Sequence, residues 1–113
     1  MLIMKGGENM NPVYAFIAGM FLANGVPHLV KGIAGQSHMT PFKRVSPAWL
    51  NVVWAFVNFW LGLLFMGMSG GNFNDLIVLD AYSWSFTIGA LFMALSDAWL
   101  FSKPNARLPW QKD

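Results

Sequence analysis

Cysteine is absent from this 113-residue sequence, and charged residues are scarce. The lack of cysteine excludes disulfides, thiolate catalysis and thiolate metal sites. Asp, Glu, Lys and Arg make up 11% of the residues, against about 25% in an average soluble protein. The net charge is only +2. So small an excess of positive charge does not build a nucleic-acid-binding surface, and we expect no nucleic-acid partner.

Apolar residues, in contrast, account for 56% of the sequence and gather in three long runs. The runs cover residues 12–30, 47–68 and 76–101. About 20 helical residues cross a hydrocarbon core of about 30 Å, and lipid forces such a segment to satisfy its backbone as a helix. The sequence therefore predicts an all-α polytopic membrane protein, with one domain over residues 1–113 and three transmembrane helices.

The connections between the runs predict how the helices follow one another. Residues 69–75 read Ser-Gly-Gly-Asn-Phe-Asn-Asp, a composition typical of a tight turn. We therefore expect the second and third helices to form an antiparallel hairpin, with Asn74 or Asp75 as the N-cap of the third helix. A longer loop, residues 31–46, joins the first two helices, and residues 102–113 form a tail.

The basic residues are concentrated in that loop and that tail. With three crossings, both segments lie on the same side of the membrane. Cytoplasmic segments carry an excess of Lys and Arg, so we expect this side to be cytoplasmic and the N-terminus to be outside, in the plasma or inner membrane. The six basic residues of the loop and tail are Lys31, Lys43, Arg44, Lys103, Arg107 and Lys112.

The first helix raises two further questions. Residues 13–23 resemble the apolar part of a secretory signal peptide, but the run exceeds the usual 7–15 residues and lacks a good cleavage site. We therefore expect the helix to be retained, with either Met1 or Met10 as the start of translation. Pro27 removes a backbone N–H and clashes with the carbonyl four residues earlier, so a kink is predicted near Ala23.

Five polar residues interrupt the predicted helices, where polar side chains are costly and therefore informative. His28, Asn51 and Asp97 lie within about 9 Å of the basic ends of their helices, at 1.5 Å per residue. If the polar faces turn inward, these three meet at one depth, with Asn24 and Asn58 one or two turns deeper. This set of Asn24, His28, Asn51, Asn58 and Asp97 is the predicted polar cluster.

His28 and Asp97 are the candidate catalytic residues of this cluster, because a carboxylate can orient an imidazole for proton transfer. Alternatively, His28 caps its helix and Asp97 pairs with a nearby lysine. The asparagines suit interhelical hydrogen bonds. No metal-ligand spacing is present, and His38 lies in a Gly- and Pro-rich loop, so we expect no metal and no cofactor.

Lys31, Lys43 and Arg44 are predicted to contact lipid headgroups, because cations next to a membrane are attracted to an acidic leaflet. Membrane lipids are therefore the first predicted partners. A specific phosphate- or carboxylate-bearing ligand at the same residues is the alternative.

Small residues at Ala15, Gly19 and Ala23 form a stripe along the first helix that allows close helix approach. The stripe predicts a homo-oligomer or a place in a larger membrane complex, with packing inside the chain as the alternative. We thus predict an accessory or self-assembling membrane subunit, and the lack of a catalytic motif favours a role other than enzyme. A transporter or channel, and a membrane enzyme that acts on a lipid-like substrate through His28 and Asp97, stay open.

Overall fold

Three long helices dominate the computed structural model, which describes residues 10–111. Each helix is long and apolar enough to cross a membrane, as predicted. Two short strands and a 3₁₀ helix lie between them. The elements in chain order are α1 (Pro12–Ile33), β1 (His38–Thr40), β2 (Lys43–Ser46), α2 (Ala48–Ser69), the 3₁₀ helix (Phe73–Ile77) and α3 (Ala81–Phe101).

The first helix begins where expected. The Asn11 side chain accepts hydrogen bonds from the backbone N–H groups of Val13 and Tyr14, and proline suits the first helical turn because its missing N–H has no partner there. The helix passes through Pro27 and continues beyond residue 30, so that Lys31 belongs to its last turn. The kink near Ala23 stays a prediction.

The third helix begins later than predicted. Its N-cap is Asp80, whose carboxylate accepts a hydrogen bond from the Ser83 N–H, while the Ser83 hydroxyl accepts one from the Asp80 N–H. The preceding residues form the 3₁₀ helix, which Asn72 caps. The prediction of Asn74 or Asp75 as the N-cap was therefore wrong, because the apolar residues 76–79 that follow them lie outside the helix.

The loop between α1 and α2 contains an antiparallel hairpin of β1 and β2, which the sequence analysis did not predict. His38 pairs with Ser46 and Thr40 with Lys43, with an irregularity between the two pairs. The Thr40 and Ser46 hydroxyl oxygens lie 2.7 Å apart. The Ser46 hydroxyl donates to the Lys43 carbonyl at 2.8 Å. The hairpin folds against α2, where the Phe42 and Trp54 rings meet edge to face.

α1 lies between the other two helices. α2 and α3 each pack along α1, but they make almost no contact with each other. α1 and α2 are antiparallel, because the Asn11 N–H bonds the Ser69 carbonyl at one end and His28 bonds Asn51 near the other. α1 and α3 are parallel. α2 and α3 thus follow one another in the chain and run antiparallel. They do not pack against each other, although the predicted hairpin would require it.

Glycines allow the close approach of α1 and α3. A Cβ atom added to Gly19 would lie 2.2 Å from the Phe86 carbonyl oxygen, and one added to Gly89 would lie 2.0 Å from the Phe16 carbonyl oxygen. The Gly19 position belongs to the small-residue stripe of α1. This stripe therefore packs within the chain, and the expectation of an oligomer no longer rests on it.

The tail crosses the hairpin and is tied to it. The Trp110 indole N–H donates to the Pro41 carbonyl at 2.9 Å, and the Gln111 amide donates to the Thr40 carbonyl at 2.6 Å. Hairpin and tail together cover one end of the three helices, which we call the hairpin end.

Candidate functional site

The hairpin end encloses a cavity of about 260 Å³ between the helices, the hairpin and the tail. Polar side chains from two helices line it together with apolar and aromatic ones. We call it the polar cavity. Its lining includes Asn24 and His28 of α1, Trp54 of α2, Asp97 and Phe101 of α3, the hairpin residues Met39, Thr40 and Pro41, and Trp110 of the tail.

His28 and Asn51 form the first part of the predicted cluster. The His28 Nδ1 atom lies 2.8 Å from the Asn51 Oδ1 atom. The Asn51 amide nitrogen faces the carbonyl oxygens of His38, Ser46 and Pro47, at 2.9 to 3.2 Å. Because that nitrogen is committed to acceptors, Oδ1 needs a donor, and His28 must carry its proton on Nδ1. The neutral ring then has its lone pair on Nε2, where it can accept a proton.

Asn24, Asn58 and Asp97 form the second part. The Asn58 amide nitrogen donates to the Trp54 carbonyl at 2.8 Å, so its Oδ1 atom faces Asn24. One end of the Asn24 amide lies 3.0 Å from that Oδ1 atom. The other end lies 2.8 Å and 3.2 Å from the two carboxyl oxygens of Asp97. Asn24 thus bridges α2 and α3.

The orientation of the Asn24 amide depends on the proton of Asp97. With its nitrogen toward Asn58, Asn24 presents an oxygen to Asp97, and only a protonated carboxyl can then donate a hydrogen bond. With its nitrogen toward Asp97, Asn24 bonds an ionised carboxylate but places its oxygen against the Asn58 oxygen. One amide orientation cannot satisfy Asn58 and an ionised Asp97 at once.

The five predicted cluster residues thus come together in two hydrogen-bonded groups. His28 pairs with Asn51, whereas Asp97 pairs with Asn24. No hydrogen bond between His28 and Asp97 is found in the described residues, although both line the polar cavity. They line one space, but they do not form a pair in which the carboxylate orients the imidazole. Over residues 10–111, no group of three His, Asp or Glu side chains is placed to hold a metal ion.

Two buried ring nitrogens at the hairpin end could not be identified by sequence analysis, because what marks them is that they lack hydrogen-bond partners in the folded chain. The Trp54 indole nitrogen is buried without a hydrogen-bond partner, and so is the His38 Nε2 atom. A buried polar atom without a partner costs about 1–3 kcal/mol. Trp54 also lines the polar cavity.

The predicted headgroup residues separate in the structure. Lys31 and Arg44 line a second pocket of about 240 Å³ at the hairpin end, together with Lys103. Lys43 is exposed on the adjacent hairpin position and does not line this pocket. Lys103 also lies over the Trp99 ring, with Nζ 4.0 Å from the ring centre.

The His38 side chain is expected to stay neutral at pH values well below those at which a free histidine takes up a proton. Burial, with further contributions from His28 and Lys31, lowers the pKa of His38 to about 4, from about 6.5 for a free histidine. A histidine NMR titration of the detergent-solubilised protein should show this midpoint. Lys31→Met should raise the pKa, because it removes a neighbouring positive charge. A His38 midpoint near 6.5 in the wild type would contradict the buried placement of the ring.

No protein-family model matches the sequence, and no curated protein or solved structure is significantly similar to the chain.

Proposed function

We propose that the protein is an integral membrane protein in which α1, α2 and α3 each cross the bilayer once. Their lengths of 22, 22 and 21 residues match the roughly 20 residues that a hydrocarbon core of about 30 Å requires. Large apolar side chains cover their outer surfaces; Trp60 and Leu95, for example, are 71% and 61% exposed. Lipid solvates such a surface, whereas water would favour its association.

The distribution of charge supports an orientation with the hairpin end in the cytoplasm of the cell, in the plasma or inner membrane. The described basic side chains Lys31, Lys43, Arg44, Lys103 and Arg107 all belong to α1's last turn, the hairpin or the tail. Asp75 and Asp80 flank the opposite ends of the helices. A cytoplasmic hairpin end follows the usual excess of positive charge on that side.

Within the membrane, we propose that the chain is an accessory or self-assembling subunit. The observation that carries this proposal is the exposure of α3, which packs against no long helix but α1 among the described residues and is the least buried of the three helices. A transmembrane helix of a partner, or a second copy of the chain, would give α3 a second neighbour through side-chain packing. The exposed large side chains of α3 are Trp84, Ile88, Leu91, Phe92, Leu95 and Trp99.

Disulfide cross-linking tests this proposal, since the absence of cysteine lets each single-cysteine variant report on one position. Cysteines placed along α3 from Ile88 to Trp99 should cross-link in native membranes at positions three or four residues apart, which share a helix face. Trp60→Cys on the outer surface of α2 is the control and should remain largely uncross-linked.

The products of that experiment identify the partner. A cross-linked species of twice the chain mass indicates a homo-oligomer, and a heavier adduct that contains another protein indicates an accessory subunit. Absence of cross-links at every α3 position, together with a monomer in native mass spectrometry from a mild detergent, would refute the subunit proposal.

A second candidate, a membrane enzyme or a ligand-binding protein, is favoured by the polar cavity. His28, Asp97 and Trp54 line the same space, which offers a proton acceptor and a carboxyl group to one small molecule. The transport alternative has less support, because Asn58 is fully buried and bonded to its neighbours. A retained small molecule other than a phospholipid in native mass spectrometry would favour this second candidate over a subunit role.

A further inference from the structure

The hairpin end carries a concentration of positive charge that no carboxylate of the described residues neutralises. Lys31, Arg44 and Lys103 line one pocket of about 240 Å³, which we call the basic pocket. None of these three cations forms an ion pair within residues 10–111. The only acidic residue near this end of the described chain is Asp97, which contacts Asn24. The basic pocket is therefore complementary to an anion.

An apolar groove of about 490 Å³ adjoins the basic pocket. One wall belongs to α1 and the other to α3, and three of its lining residues are alanines. The groove and the basic pocket share Lys31, His38 and Phe101, so they lie side by side. Its apolar lining is Ala23, Val26 and Pro27 of α1 and Ala94, Ala98 and Phe101 of α3, and Asp97 of α3 is the one acidic residue that also lines it.

His38 stands at the junction of these two spaces. Its ring packs against the Phe101 ring, with 4.2 Å between the ring centres, and the backbone carbonyl of the same residue is held by Asn51. The Nε2 atom of His38 is buried and has no partner in the described chain. His38 lines both spaces, so a ligand that occupies them lies next to this residue, and a hydrogen bond to Nε2 would remove the cost of leaving that atom without a partner.

We propose that the groove and the basic pocket together bind one anionic phospholipid. Its acyl chain lies between α1 and α3, its phosphate lies among Lys31, Arg44 and Lys103, and His38 Nε2 bonds a phosphate or ester oxygen. Apolar space next to a cationic, hydrogen-bonding end matches the chemistry of an amphiphile. A soluble anion would leave the groove empty. The inference rests on the membrane insertion proposed above, but not on the proposed subunit role.

The charge of the pocket can be tested by lipid binding to the whole chain. We would reconstitute the protein with defined lipids and measure retained phosphatidylglycerol and phosphatidylcholine by native mass spectrometry. The wild type should retain one phosphatidylglycerol in preference to phosphatidylcholine. Arg44→Gln and Lys103→Gln should each weaken phosphatidylglycerol binding about fivefold, because a cation near the surface contributes about that factor. Lys43→Gln removes the same charge next to the pocket and should change binding less than twofold.

The groove has its own matched pair of variants. Ala94→Phe fills the space between α1 and α3 and should reduce phospholipid retention, whereas Leu95→Phe adds a ring one residue away, outside the groove, and should not. Circular dichroism checks that both variants keep the helical fold. Competition with inorganic phosphate should displace the lipid only weakly, because phosphate cannot occupy the groove.

Each contrary result has a definite meaning. Equal retention of the two lipids would contradict a specific phospholipid site. An effect of Lys43→Gln as large as that of Arg44→Gln would also contradict it, and would indicate that the basic residues attract anionic lipid without a defined site. Phosphate binding that is as tight as lipid binding and unchanged by Ala94→Phe overturns it in favour of a soluble anion. Release of the protein from membranes by alkaline carbonate would instead refute the membrane insertion itself, and a monomer with one bound lipid would refute only the subunit role.

Discussion

Asn51→Leu is expected to lower the free energy of unfolding by about 3–5 kcal/mol, because it leaves several buried polar groups without partners. Asn51 is fully buried, accepts from His28 and donates to carbonyls of the hairpin and of the turn before α2. Leucine has a similar size, so little of the effect comes from a cavity. Unfolding in mixed detergent micelles measures the loss, and limited proteolysis of residues 34–47 should show that the hairpin has come free.

Two further variants make this expectation specific. Asn74→Leu, at an exposed position, should change stability by no more than about 0.5 kcal/mol. The double variant His28→Leu/Asn51→Leu should lower the free energy of unfolding by less than the sum of the two single changes, because it removes both partners of one hydrogen bond. An additive double variant, or a stable Asn51→Leu protein with a protected hairpin, would contradict the role of Asn51 as the link between α1, α2 and the hairpin.

Gly89→Ala is the second change with a large expected effect, although it adds only one methyl group. That methyl carbon would lie 2.0 Å from the Phe16 carbonyl oxygen and 3.0 Å from the Phe16 Cα atom. These are backbone atoms, so α1 and α3 must separate. We expect a loss of about 2–3 kcal/mol, typical of overpacking, and disruption of the contact between Asn24 and Asp97. The same micelle unfolding experiment measures the loss.

Gly67→Ala is the matched control within α2. A Cβ atom at Gly67 would meet nothing within 4 Å, and alanine favours a helix over glycine by up to about 1 kcal/mol. Gly67→Ala should therefore be neutral or stabilising, opposite in sign to Gly89→Ala. If both variants behaved alike, the close approach of α1 and α3 at Gly89 would not be a determinant of stability.

The three helices could be predicted from hydropathy because each is a single long apolar run. The start of α3 could not be predicted in the same way, because residues 76–79 are apolar but form the end of the 3₁₀ helix and a short extended link. The local signal was present in Asp80 and Ser83, which cap the helix reciprocally. A capping pair three residues apart was a better guide than hydropathy at this boundary.

The hairpin and the pairing of polar residues depend on contacts between distant parts of the chain. Strands of three and four residues have little stability of their own; Asn51 and the tail hold them in place. The polar residues themselves could be chosen from the sequence, since each stands out in an apolar helix. Their partners could not be chosen, because helix rotation decides whether Asp97 meets His28 or Asn24, and polarity alone does not determine that rotation.

The central position of α1 has a consequence for biosynthesis. α1 precedes α2 in the chain, so Asn24 and His28 are synthesised before the asparagines of α2 that bond them. Arrival of α2 satisfies both residues at once, before α3 is complete. Trp110 and Gln111, which follow α3 in the chain, then bond the hairpin. The order of synthesis thus matches the order in which the contacts can form. α1 pairs with α2 first, α3 then packs on α1, and the tail finally closes the polar cavity.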